Sequence, residues 1–132
     1  MIKFAKGLVV SFSLLLAGCV SVSQEDIKAV DFGAKPSNYE ERVKDFMAMQ
    51  LKDPMSAVYN FRLPLRKAVV RSGMLDNFTK YYGWVVEVSV NAKNSFGGYT
   101  GAKTYFILIR PDGLRADITD RLKTGGWVAF VD

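Results

Sequence analysis

The chain has 132 residues, 49% hydrophobic, 13% aromatic and 23% charged, which fits one globular domain and leaves little room for a second. It contains no histidine and a single cysteine, so imidazole catalysis, internal disulfide frameworks and Cys/His zinc sites are all excluded. Its 18 basic and 13 acidic residues give a formal charge of +5.

In chain order, the first element has the pattern of an export signal. Lys3 and Lys6 form a basic region, and Leu8 to Ala17 is an apolar run interrupted only by Ser11 and Ser13. Ten helical residues rise about 15 Å, half of a roughly 30 Å hydrocarbon core. The run therefore suits a signal-peptide core better than a spanning anchor. Leu16-Ala17-Gly18-Cys19 follows at once. This segment resembles the lipobox of bacterial lipoproteins, a leucine and two small residues before an obligatory cysteine. The resemblance implies that the lipoprotein signal peptidase recognises Leu16, Ala17 and Gly18 and removes residues 1–18. Cys19 would then be the first residue, carrying a diacylglyceryl thioether and a further fatty acyl chain such as palmitate. Two or more chains give a stable membrane anchor. The resemblance also implies outer-membrane sorting with the domain facing the periplasm, because Val20 stands where aspartate would favour the inner membrane. Loss of Lys3 and Lys6 lowers the formal charge from +5 to +3.

Residues 19–37 lack a sustained period and end in a Gly/Lys/Pro/Ser cluster, the pattern of a tether with one short ordered piece. As a flexible coil, such a segment averages about 23 Å and extends at most about 60 Å. Ser37 and Glu40 have the spacing of a capping box. Behind them Tyr39, Val43, Phe46, Met47 and Leu51 recur at helical spacing, predicting an amphipathic helix that ends near Lys52, since Asp53 precedes Pro54. Its polar face mixes both charge signs, which favours packing against a core over lying in a membrane.

The period then changes to two. Tyr59, Phe61, Leu63 and Leu65 alternate with polar residues, in a strand that Pro64 places at a sheet edge. Ala68 to Arg71 extends it or forms another. Trp84, Val86, Val88, Val90 and Ala92 form the clearest strand, and Thr104 to Arg110 is apolar enough for a central one. Pro111-Asp112-Gly113 is a tight turn, and Leu114 to Ile118 and Trp127 to Val131 are shorter strands. The expected fold is α+β over residues 38–132: one N-terminal amphipathic helix packed on a four- to five-stranded antiparallel sheet.

Between the two best strands lies Asn91-Ala92-Lys93-Asn94-Ser95-Phe96-Gly97-Gly98-Tyr99-Thr100-Gly101, longer than most hairpin connections. Its glycines permit unusual backbone angles. Lys93, Asn94, Phe96 and Tyr99 form a candidate partner-binding loop; the alternative is that the two aromatics fold back onto the core. Together with Asp53-Pro54-Met55-Ser56, the segment resembles a family of small bacterial and prophage-encoded proteins that carry a DPxS turn after a helix and an NAKNxxGGYxG hairpin. That likeness implies a compact α+β domain and carries over no catalytic residue.

No other motif points to catalysis. Ser56, Ser72 and Ser89 lack an SxxK partner, and Glu87, Asp112, Asp117 and Asp120 suit capping and solvation. No metal-ligand spacing or cofactor motif is present. Arg62, Arg66, Lys67, Arg71 and Lys80 outnumber Asp76, a bias that suits a charged sheet edge or an anionic surface. The sequence thus predicts a lipid-anchored, non-enzymatic binding or structural module of the cell envelope. A protein partner is expected, within an envelope or secretion assembly, and no nucleic acid. The alternative is a prophage-encoded lipoprotein that excludes superinfecting phage.

Overall fold

The computed structural model describes residues 24–71, 80–123 and 128–131. The signal segment, Leu16, Ala17, Gly18 and Cys19 lie outside the described residues, as do Ser72 and Trp127.

Five strands form one antiparallel sheet: β1 (Val58–Arg71), β2 (Lys80–Asn91), β3 (Lys103–Ile109), β4 (Arg115–Asp117) and β5 (Val128–Val131), in the order β4-β3-β2-β1-β5. With the helices α1 (Gln24–Lys28), α2 (Tyr39–Ala48) and α3 (Thr119–Lys123), this is an α+β fold. On one face of the sheet, α2 buries Val43 and Met47 against Leu65, Val86, Val88, Val90, Ile107 and Ile109. Such burial stabilises by about 1.5–3 kcal/mol per side chain. The opposite face gathers Ala68, Val70, Val85 and Leu108 with Ile118, which leads into α3.

Both ends of α2 differ from the expected ones. Its N-cap is Asn38 with no side-chain cap bond, so the Ser37–Glu40 capping box does not form. Glu40 turns outward, 3.8 Å from Lys44 one turn on. The helix closes at Ala48, well before Lys52, because the amides of Gln50 and Leu51 both donate to the Met47 carbonyl. Leu51 still packs against the core from the following turn.

In β1 the alternation holds at Tyr59 and Phe61 and resumes at buried Leu65, but Leu63 is 59% exposed. The register against β2 shifts between Arg62 and Arg66, and the extra residues displace Leu63 from the inward set. The Leu63–Pro64 peptide bond is cis. β5 pairs only with Lys67–Val70, so among the described residues the first half of β1 has a strand on one side only, and Pro64 does lie at a local edge. β2 and β3 approach so closely at Gly83 that a Cβ there would lie 2.1 Å from the Ile109 carbonyl oxygen.

The segment before α2 touches the sheet sooner than a free tether would. Phe32 is buried, its ring edge-on to Tyr82 at 6.1 Å, and the Trp84 indole Nε1 donates to the Gly33 carbonyl at 3.3 Å. The short α3 was not expected from the apolar pattern. It begins where the Asp117 carboxylate accepts the Thr119 amide at 2.9 Å, while the Thr119 hydroxyl accepts the Phe106 amide at 3.0 Å.

Candidate contact surface

The DPxS turn and the glycine-rich loop, far apart in sequence, meet at the end of the sheet where β2 finishes and β3 begins. Asp53 starts a 3-10 turn, Pro54–Ser56, with its carboxylate accepting the Ser56 amide at 3.3 Å. Proline fits the first position of such a turn because the amide it lacks would go unpaired there. The turn aims the Ser56 side chain inward. Its hydroxyl donates to the Asp53 carbonyl at 2.7 Å and accepts the Lys93 amide at 2.8 Å. From the other side, the Tyr99 hydroxyl donates to the Ser56 carbonyl at 3.0 Å. Ser56 is therefore a brace that fixes turn to loop.

The loop is also ordered from within. The Asn94 side-chain oxygen accepts the amides of Phe96 at 2.9 Å and Gly98 at 3.2 Å, and the Asn94 amide donates to the Gly98 carbonyl at 2.8 Å. Lys93 and Tyr99 form a bridge across its base. Gly97 has φ +80°, a conformation that disfavours any side chain. Asn94 thus acts as internal scaffold, while the Lys93 ammonium sits 5.6 Å from the Tyr99 ring centroid.

This scaffold holds apolar side chains in water. Phe96 and Met55 are each 96% exposed, and Val58, at the start of β1, is 61% exposed. Of the two aromatics in the loop, Phe96 is fully presented. Tyr99 is half exposed, with its hydroxyl anchored to Ser56. Sequence reasoning singled out Phe96 but missed Met55, whose presentation follows from the turn chemistry of Asp53 and Pro54.

Elsewhere three carboxylates have local cationic partners. Glu87 faces Arg62 at 3.3 Å, Asp112 faces Arg110 at 2.8 Å, and Asp120 faces Lys123 at 3.0 Å. The basic residues of β1 are used internally too: the Arg66 guanidinium lies 3.9 Å from the Phe130 ring centroid, and Lys67 lies 5.3 Å from that of Trp84. Among the described residues, no group of three or more His, Cys, Asp or Glu could hold a metal ion. A cleft of about 280 Å³ between Phe32, Arg42, Trp84 and Arg110 lies toward the opposite end of the sheet, at the small end of the range of ligand sites.

Comparison with family models, curated proteins and solved structures finds no match to this chain. No described helix is long and apolar enough to cross a membrane. The functional reading therefore rests on the geometry and chemistry of the braced tip.

Proposed function

We propose that this protein is an outer-membrane lipoprotein, anchored through Cys19 with its domain facing the periplasm, and that it serves as a binding module of the cell envelope and not as an enzyme. The domain is read as one principal amphipathic helix, α2, packed on the sheet, with the tip of Met55, Lys93, Phe96 and Tyr99 as its contact surface. The observation that carries the binding reading is that Phe96 and Met55 are each 96% exposed on loops cross-braced through Ser56. A phenylalanine left in water forfeits about 1.5–3 kcal/mol of burial, and a scaffold that holds it there favours a use for the exposed ring. The anchor reading rests on Leu16-Ala17-Gly18-Cys19, which places the chain's single thiol where the lipid would be attached.

Two measurements test the two halves separately. The intact mass of the protein from native membranes should correspond to a chain starting at Cys19 plus acyl groups, and should revert to the uncleaved form when the lipoprotein signal peptidase is inhibited. An unmodified chain starting elsewhere overturns the anchor. For the contact surface, a photoreactive residue at position 96 should form an adduct in intact cells, whereas the same residue at Leu114, 58% exposed in the turn between β3 and β4, should not. Equal labelling at both positions, or none at 96, overturns the tip as contact surface.

A further inference from the structure

The segments that build the braced tip carry mostly positive charge. Among residues 49–58 and 91–103 the charged side chains are Lys52, Lys93, Lys103 and Asp53. The Asp53 carboxylate is engaged by the Ser56 amide, and the three lysines outnumber it on these segments. The same segments carry Phe96 and Met55, each 96% exposed, with Met49 at 72% and Val58 at 61%. Exposed apolar side chains interspersed with lysines on braced loops have the chemistry of a headgroup interface: rings and thioethers reach the acyl boundary, and ammonium groups meet anionic phosphates.

We infer that the occupant of this tip is an anionic phospholipid surface, with Phe96 and Met55 inserting between headgroups and Lys52, Lys93 and Lys103 pairing with phosphates. The inference rests on the reading of the tip as contact surface and goes beyond it by naming the partner. Chain length allows the surface to be that of the anchoring membrane. Phe32 docks against Tyr82 and shares Lys67 with Trp84, about 30–36 Å along the β2 direction from Lys93. Thirteen Cα–Cα steps lead from Cys19 to Phe32, enough for at most about 35 Å with Gln24–Lys28 helical. An anchored domain can therefore stand on its tip only with this segment close to full extension, and the tip then gives it a second attachment to the same membrane.

The test uses the full chain reconstituted in vesicles and the tryptophan emission added by Phe96→Trp over that of the parent protein. In vesicles containing phosphatidylglycerol with brominated acyl chains, the added emission is expected to fall at least twofold. In brominated phosphatidylcholine, or at high salt, it should recover most of its intensity. Replacing Lys52, Lys93 and Lys103 together by glutamine should remove the dependence on anionic lipid while the domain keeps its cooperative melt; each lysine is worth about a fivefold change in partitioning. Leu114→Trp, at the other end of β3, should stay unquenched throughout. Unquenched emission at position 96 in anionic vesicles, or equal quenching at position 114, overturns the lipid inference. If position 96 also crosslinks to a protein in cells, the tip remains the contact surface and its partner is that protein; if it crosslinks to nothing, the tip reading itself fails.

Discussion

The hydroxyl of Ser56 accepts the backbone amide of Lys93 at 2.8 Å, joining a turn to a loop 37 residues further along the chain. The same hydroxyl donates to the Asp53 carbonyl, so a single oxygen serves both segments. Ser56→Ala leaves the Lys93 amide and the Asp53 carbonyl without this partner. A net loss of about 1 kcal/mol per hydrogen bond predicts a destabilisation of about 1–2 kcal/mol, with a fall in Tm of roughly 4–8 °C for each kcal/mol. Amide exchange at Lys93 and Phe96 should accelerate more than exchange in β2. An unchanged melt and unchanged exchange would show that the brace carries no weight.

Removing the presented side chains should have the opposite signature. Phe96 and Met55 make little contact with the rest of the domain, each being 96% exposed, so Phe96→Ala and Met55→Ala should shift stability by no more than about 0.5 kcal/mol. Met47, buried at 1% exposure under α2, is the control, and its replacement by alanine should cost about 2–5 kcal/mol. Urea midpoints of the three variants separate the cases. A large loss at Phe96 would mean that the loop packs onto the domain after all.

Local periodicity made much of this fold legible. Alternation over Trp84 to Val90 marked β2, and the 3.6-residue spacing of Val43 and Met47 marked the buried stripe of α2. What stayed hidden were features set by tertiary partners. Neither Ser37 nor Glu40 caps α2, because Asn38 occupies the N-cap position. Leu63 is exposed because a register shift intervenes between Arg62 and Arg66, and alternation alone carries no record of that shift. Phe32 belongs to the packed structure because Tyr82, on β2, supplies the ring it meets. At the tip, sequence reasoning found both motifs but not their connection, since the bond between Ser56 and Lys93 depends on how β1 and β2 align.

Tyr59 provides a pH signature. Burial raises its phenol above the usual value of 10.0, and its ring stacks on Phe61 at 6.0 Å. Above pH 10 the unfolded phenol loses its proton first, so the folded state binds more protons and stability falls as pH rises. The stabilising difference is complete below pH 10 and is lost as pH climbs through the folded value. Tyr39, raised by burial and then by the neighbouring Glu40, acts in the same direction. Urea midpoints at pH 9 and pH 11 should therefore drop further for the parent protein than for Tyr59→Phe. Equal drops would place the alkaline sensitivity elsewhere.

Two glycines should respond differently to alanine, for distinct physical reasons. At Gly83 the new Cβ would lie 2.1 Å from the Ile109 carbonyl oxygen and 2.8 Å from its carbon, both backbone atoms of the adjacent strand. Relief requires β2 and β3 to separate next to Trp84, so Gly83→Ala should abolish the cooperative melt or lower it by well over 10 °C. At Gly97 no atom lies within 4 Å of the new Cβ, and the cost is only the left-handed backbone at φ +80°. That penalty is about 1–2 kcal/mol and local to the loop, so Gly97→Ala should keep a cooperative melt, lowered by roughly 4–8 °C for each kcal/mol, and disturb the amides held by Asn94. The contrast is readable by circular dichroism melts together with amide exchange in the loop. Similar mild effects at both positions would mean that the close approach of β2 to β3 is not a requirement of the fold.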